Sequence, residues 1–231
     1  MDMSTEPAPL VPTTGWNVLH LFVKAKGAID LSRVGDAVAS LEKESGQVVT
    51  AAILGHKADA CVMALAEDVW ALRRLQTAVE AAGLEVVESY VSLTEVSEYA
   101  GGAPAEVLEA RLHPTLPPDG LRAFCFYPMS KRRGEQHNWF ALPFDERKAL
   151  MRAHGTSGRT FAGRIVQVVT GSTGLDDYEW GVTLFGAHPD DLKDCVYTMR
   201  FDEASAQYGE FGPFYVGMVA SLDETLAHAV S

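Results

Sequence analysis

The chain has 231 residues, 47% of them hydrophobic, enough for one large domain or two small ones sharing a core. Its formal net charge of −12 argues against nonspecific binding to nucleic acid or to an anionic membrane, because the molecule as a whole repels polyanions. No apolar run is long enough for a membrane span, and residues 1–14, rich in Pro, Thr and acid, lack a signal-peptide pattern and are expected to be a disordered lead-in. Cys61, Cys125 and Cys195 stand singly without a CxxC pair, so neither a disulfide framework nor a zinc site is expected, and a reducing cytoplasm is the natural setting.

In chain order, Trp16 to Val23 has the composition of a strand, and Leu31 to Glu44 carries Leu31, Val34, Val38 and Leu41 at helical spacing. Two β-rich runs, Val48 to Leu54 and Cys61 to Ala66, flank Gly55-His56-Lys57-Ala58 and predict a hairpin. A second helix is expected over Asp68 to Ala82, stopped by Gly83, followed by a strand over Leu84 to Leu93. This βαββαβ order is the ferredoxin-like unit.

The second half repeats the order. Leu121 to Tyr127 predicts a strand, Phe144 to His154 a helix ended by Gly155, and Arg164 to Thr170 with Tyr178 to Phe185 a strand pair. Pro189 to Met199 predicts the next helix and Phe214 to Ser221 the last strand. The expected fold class is therefore α+β: two tandem ferredoxin-like units, residues 15–96 and 121–231, whose bare sheet faces pack into a β-barrel with external helices. Residues 97–120, rich in Gly, Pro and acid, are expected to form an ordered loop around the second half.

Charge is unevenly spread. Between Arg111 and Arg164 lie ten of the nineteen Lys and Arg residues but only four acids, so a small polyanion would be attracted there. A solvated basic face is the alternative. The run Tyr127-Pro128-Met129-Ser130-Lys131 is expected at the end of its strand and in the loop that follows. Tyr127 brings a phenol able to donate a hydrogen bond or be oxidised, and Lys131 a cation for a carboxylate, although a Tyr-Pro pair also suits a packed turn. His154 either interacts with a helix C-terminus or presents a neutral ring nitrogen to an iron centre.

Gln167 shares a strand face with Ile165 and Val169, where its amide either finds a partner in the barrel or faces a ligand. Arg111 and Ser205 are surface residues unless they hold carboxylates. The remaining histidines show no HxH or HExxH spacing, and no P-loop, GxGxxG or GxSxG occurs. Non-haem metal catalysis, phosphoryl transfer, nicotinamide binding and serine hydrolysis thereby lose their usual markers.

The run YPMSKRRGEQHNWF, followed by ERKALMRAHGTSGRTFAGRI, GSTGLDDYEWGVTLF and MRFDEASAQYGEFGPFYVG, resembles the haem-synthesising, coproheme-decarboxylating branch of the chlorite dismutase superfamily. The likeness spans Arg111 to Gly217 and includes several separated motifs in the right order. It implies the same barrel, assembled as a cytoplasmic homopentamer. It also implies hydrogen peroxide-dependent decarboxylation of two propionates of iron coproporphyrin III (coproheme), giving haem b through a tyrosyl radical.

The resemblance assigns roles. It makes His154 the axial iron ligand and Tyr127 the radical-bearing catalytic residue. Pro128, Met129, Ser130 and Lys131 accompany Tyr127 around a propionate, and Arg111 and Ser205 anchor other propionates. Chlorite dismutases carry an arginine where this chain has Gln167, which disfavours chlorite chemistry. Trp139 is either an aromatic at the porphyrin edge or a loop anchor. A chlorite dismutase or peroxidase of the same fold and a noncatalytic haem-binding or haem-transfer protein are the alternatives. A coproporphyrin ferrochelatase is the implied transient partner.

Overall fold

The computed structural model describes residues 7–229. Residues 1–6 of the expected lead-in therefore lie outside the described residues. Residues 7–14 form neither helix nor strand, yet Leu10 is tied down: its N–H donates to Asp68 Oδ1 at 2.9 Å and its carbonyl accepts from Val69 N at 3.0 Å.

The first half runs β1 (Asn17–Ala25), α1 (Leu31–Lys43), β2 (Gln47–Ile53), β3 (Ala60–Ala66), α2 (Val69–Ala81) and β4 (Leu84–Thr94). Each helix starts at an aspartate N-cap, Asp30 or Asp68, whose carboxylate accepts a backbone N–H of the first turn. Gly83, at φ +94°, follows α2 as the left-handed stop residue. The joining segment, expected as loop, contains a short helix, α3 (Ala105–Leu112), with no buried side chain.

The second half runs β5 (Ala123–Lys131), α4 (Phe144–Arg159), β6 (Ile165–Gly171), β7 (Trp180–Gly186), α5 (Pro189–Met199), α6 (Glu203–Ala206), β8 (Gly209–Phe211), β9 (Tyr215–Val219) and α7 (Leu222–Ala227). Two expectations need correction here. β5 continues through Lys131, so the Tyr127–Lys131 run lies inside a strand rather than in a loop after it. α4 passes through Gly155 and ends at Arg159, because Gly155 is not in the left-handed region; the positive-φ glycine is Gly163, at +81°.

All strand pairings are antiparallel. The first half has the order β4-β1-β3-β2 and the second the equivalent order β9-β5-β7-β6. β2 joins β9 and β4 joins β6, which closes an eight-stranded ring, while β8 extends β5. The repeat is thus carried by topology. Val18, Phe22, Met63, Tyr90, Phe124, Phe126 and Phe185 fill the interior.

Outside the ring the halves differ. Val34 and Leu41 of α1, Leu72, Leu75 and Val79 of α2, and Leu226 of α7 bury themselves against Leu19, Leu21, Val23 and Val62. In the second half Leu192 and Val196 of α5 cover part of the sheet, but α4 has no buried residue. The strands beneath α4 are left uncovered.

Ring closure at β2–β9 depends on a close backbone approach at Gly217, paired with Ile53, where an added Cβ would lie 1.9 Å from the Ala52 carbonyl oxygen. Gly217→Ala should destabilise the fold by about 1–3 kcal/mol through overpacking. Thermal unfolding checks this, and an unchanged midpoint would show that the seam yields freely.

Candidate functional site

The uncovered face is the wall of a cavity of about 1030 Å³, at the upper end of the range for small-molecule sites. Alternation along β5 sends Phe124, Phe126, Pro128 and Ser130 to one side and Cys125, Tyr127, Met129 and Lys131 to the other. Phe124 and Phe126 lie in the ring interior, whereas Tyr127, Met129 and Lys131 line the cavity. The facing wall is α4, whose Arg147, Met151, His154 and Gly155 recur at helical spacing. Gln167 and Val169 of β6 and Arg111 of α3 also line it.

His154 is held by a carboxylate that sequence reasoning had not singled out. Its Nδ1 lies 3.0 Å from Asp202 Oδ2, and the Asp202 side chain is almost fully buried. Asp202 is itself fixed as the N-cap of α6: Oδ1 accepts the Ser205 N–H at 3.1 Å, and Oδ2 accepts the Ser205 hydroxyl at 3.0 Å. A carboxylate on Nδ1 holds the proton on that nitrogen and leaves Nε2 as the nitrogen to meet a ligand. The Asp-x-x-Ser cap pattern was legible, but nothing local linked it to a helix 48 residues earlier.

Ser205 lines the cavity, but its hydroxyl hydrogen is used on Asp202. It therefore braces the carboxylate that holds the histidine. Pro128 and Ser130 are not among the residues lining the cavity, and Ser130 Oγ accepts the Glu179 N–H at 3.2 Å.

Tyr127 is 7% exposed, its ring stacked on Phe214 with centroids 4.6 Å apart. Its hydroxyl has no hydrogen-bond partner among the described residues, and burial pushes the phenol well above its ordinary range. The group stays protonated at physiological pH. Lys131 is buried beneath Trp139, its Nζ 4.6 Å from that ring's centroid and 2.8 Å from the Ala204 carbonyl oxygen. Burial lowers its ammonium to about 8, opposed by the negative charges of Asp202 and Glu179. One hydrogen bond donated to that carbonyl leaves two N–H donors to spare.

Six of the ten cations between Arg111 and Arg164 reach the cavity: Arg111, Lys131, Arg147, Lys148, Arg152 and Arg159. Arg200 joins them, and among the described residues the only carboxylates on the wall are Glu95 and Glu98. Arg147 is engaged with the Tyr99 hydroxyl at 3.0 Å and the Leu142 carbonyl at 3.0 Å. Arg111, Lys148 and Arg152 make no side-chain hydrogen bond or ion pair among the described residues. Trp139 packs with Tyr208 at 5.3 Å and also lines the cavity, so it is both anchor and wall.

The chain therefore presents a concave site with an apolar sheet floor, a surplus of positive charge, an oriented imidazole and a desolvated phenol. Among curated proteins, it is 40% identical to the coproheme decarboxylase of Staphylococcus carnosus over 92% of this chain and 94% of that protein. Proteins of Natronomonas pharaonis and Haloquadratum walsbyi whose names describe heme binding are 44% and 42% identical, over 76% and 90% of this chain. The chain spans only 32% and 45% of the length of those two.

Among solved structures, a heme-binding protein from Thermus thermophilus superposes with a TM-score of 0.84 at 33% identity, covering 97% of this chain and 99% of that one. A mutant chlorite dismutase from Candidatus Nitrospira defluvii shares the fold, with a TM-score of 0.74 at 18% identity over 95% and 98% of the two chains. The likeness thus extends across the N-terminal half as well. With the chlorite dismutase family profile matching residues 30–220 and relatives at this identity along nearly the whole sequence, the chain belongs to the chlorite dismutase family.

Proposed function

We propose that this chain decarboxylates two propionates of iron coproporphyrin III to vinyl groups with hydrogen peroxide, giving haem b. The observation that carries the reading is that Tyr127 and His154, on different elements, line one cavity of about 1030 Å³ whose wall is rich in cations. The coproheme decarboxylase of Staphylococcus carnosus, similar over nearly its whole length, supports it. The same reading carries a cytoplasmic homopentamer, the C-terminal half, residues 121–231, as the main porphyrin-binding half, and a ferrochelatase as transient source of substrate.

Each part of the site has a task under this reading. His154 offers Nε2 to the iron while Asp202 fixes the ring. The free cations Arg111, Lys148 and Arg152 attract the carboxylates of a tetra-anion, and Lys131 steers one toward Tyr127. A bound iron porphyrin would supply, with peroxide, the oxidising equivalents. Tyr127, protonated and desolvated, gives up a hydrogen atom, and its phenoxyl then takes one from the propionate side chain. Carbon dioxide leaves and a vinyl remains. Per propionate, one peroxide and one proton are consumed and two waters form. Gln167 adds an amide without charge to the wall, which suits peroxide better than an anionic oxidant.

The relatives named for heme binding favour a second reading, a porphyrin carrier without chemistry. Weighing the porphyrin by mass spectrometry after adding peroxide to the coproheme complex separates the two, since only the enzyme releases carbon dioxide.

Tyr127→Phe should keep coproheme affinity but lower the decarboxylation rate at least about 10³-fold; a variant that still turns over at the parent rate removes the radical role. His154→Ala should change the Soret spectrum and weaken porphyrin binding, and Asp202→Asn should weaken it about tenfold by unlocking the ring. A Soret band untouched by His154→Ala would exclude that residue as ligand.

The Lys131 ammonium is lowered to about 8, so its positive charge is present below that pH and lost above it. Coproheme affinity should therefore fall about tenfold as pH rises from about 7 to about 9, through loss of one charge-assisted contact. An absorbance titration of Lys131→Met should show a flatter profile, and equal profiles in both proteins would dissociate Lys131 from the substrate.

A further inference from the structure

Gly155, expected from the sequence to stop a helix, lies inside α4 and has no task in the fold. A glycine in a helix interior is less stable than an alanine, because its backbone has more freedom to lose. Two structural needs would justify it, and neither applies. Its φ is not positive. Nor is space short: outside the backbone of its own helix, an added Cβ would meet only Arg159 Nη1 at 3.6 Å, an ordinary contact with the end of a flexible side chain. The ligand-free protein could therefore carry a side chain here without strain.

The position of the bare backbone supplies a reason. Gly155 lines the cavity directly after His154, and its neighbours on the helix surface at i−4, i−3 and i+4, Met151, Arg152 and Arg159, line it too. It therefore sits in the middle of the arc of α4 that faces the sheet floor. Those three neighbours are long, unbranched side chains that can swing aside for a guest. A Cβ cannot, because it is fixed to the helix backbone. Gly158 is the contrast on the same helix: it is not among the lining residues, and a Cβ there would rest against Met199 of α5, 3.7 Å from Cε and 3.8 Å from Sδ.

Resting on the reading that His154 receives an iron porphyrin, we propose that Gly155 is a positioning residue for that ligand: its bare backbone lets a flat, rigid ring close on the His154 side of the cavity, and any side chain in its place holds the ring off. A macrocycle cannot bend around a methyl group, and α4 cannot retreat from one without carrying His154 away from Asp202, 3.0 Å from its Nδ1. The glycine thus exchanges some stability of the free helix for closer seating of the guest, as residues at binding sites commonly do.

The test reads two quantities that should move in opposite directions. Gly155→Ala should raise the thermal midpoint of the ligand-free protein by about 1–4 °C, yet lower its affinity for coproheme about tenfold in an absorbance titration. Gly155→Leu, which keeps a good helix former, should lower affinity at least about 50-fold. Gly158→Ala should raise the midpoint similarly and bind coproheme as the parent does. A lower midpoint in Gly155→Ala would make the glycine a requirement of the fold, and so overturn the inference. Parent-like affinity in both Gly155 variants, or an equal loss in Gly158→Ala, would overturn it too. Titration of the parent keeps the two ideas apart: a parent that does not bind coproheme defeats the porphyrin reading and this inference together, whereas a parent and a Gly155→Ala that bind equally well defeat the inference alone.

Discussion

A helix that does not pack against its sheet sets the character of this molecule. In the first half, α1 and α2 bury Val34, Leu41, Leu72, Leu75 and Val79 against the strands, as an amphipathic helix ordinarily must. In the equivalent place of the second half no residue of α4 is fully buried, and its Leu150 and Met151 pack only partly, against Trp139, Ala204 and Tyr208 rather than against the strands. The sheet floor beneath it keeps apolar surface in the open, with Val169 and Phe211 each 42% exposed. Exposed apolar area costs stability in proportion to its extent. A flat apolar guest restores that burial, so the missing stabilisation of the free protein becomes affinity for the ligand.

Charge follows the same division. The chain carries a net charge of −12, yet its cavity wall gathers seven Lys and Arg side chains against two glutamates. Three of the cations lack partners among the described residues, and Lys131 is buried with its charge opposed by desolvation. A cation in low dielectric gains more from an incoming carboxylate than one in water does. The acidic exterior and the basic interior are therefore complementary: the first keeps polyanions in general away, and the second admits an anion small enough to enter.

Much of this was legible in the sequence, and the failures have identifiable causes. The βαββαβ order, the duplication and the helices over Leu31–Lys43 and Pro189–Met199 follow from periodicity and caps. β5 outran its expected end because Pro128 sits where the strand's neighbour changes from β9 to β8, a break in the ladder at which a missing N–H costs nothing. α4 outran Gly155 because a glycine stops a helix only in the left-handed region, and that residue is helical. Asp202 escaped notice because its partner is distant in sequence. Single residues marked the candidate site; the bonds that orient them required the fold.

One strand carries most of the site, and its pleat explains why so few residues are needed. Alternate positions lie about 6.6 Å apart along an extended chain, so Cys125, Tyr127, Met129 and Lys131 form a row about 20 Å long on one face. A thiol, a phenol, a thioether and an ammonium stand in fixed order, and the rigid ring behind them prevents the order from varying. Shifting this strand by one residue would replace the row with Phe124, Phe126, Pro128 and Ser130, exchanging a reactive face for a packed one. The register is held by β7 along one edge and by β9 and β8 along the other. The long hydrogen-bonded ladder that makes the barrel stable is thus the same device that places phenol and ammonium opposite the imidazole-bearing helix.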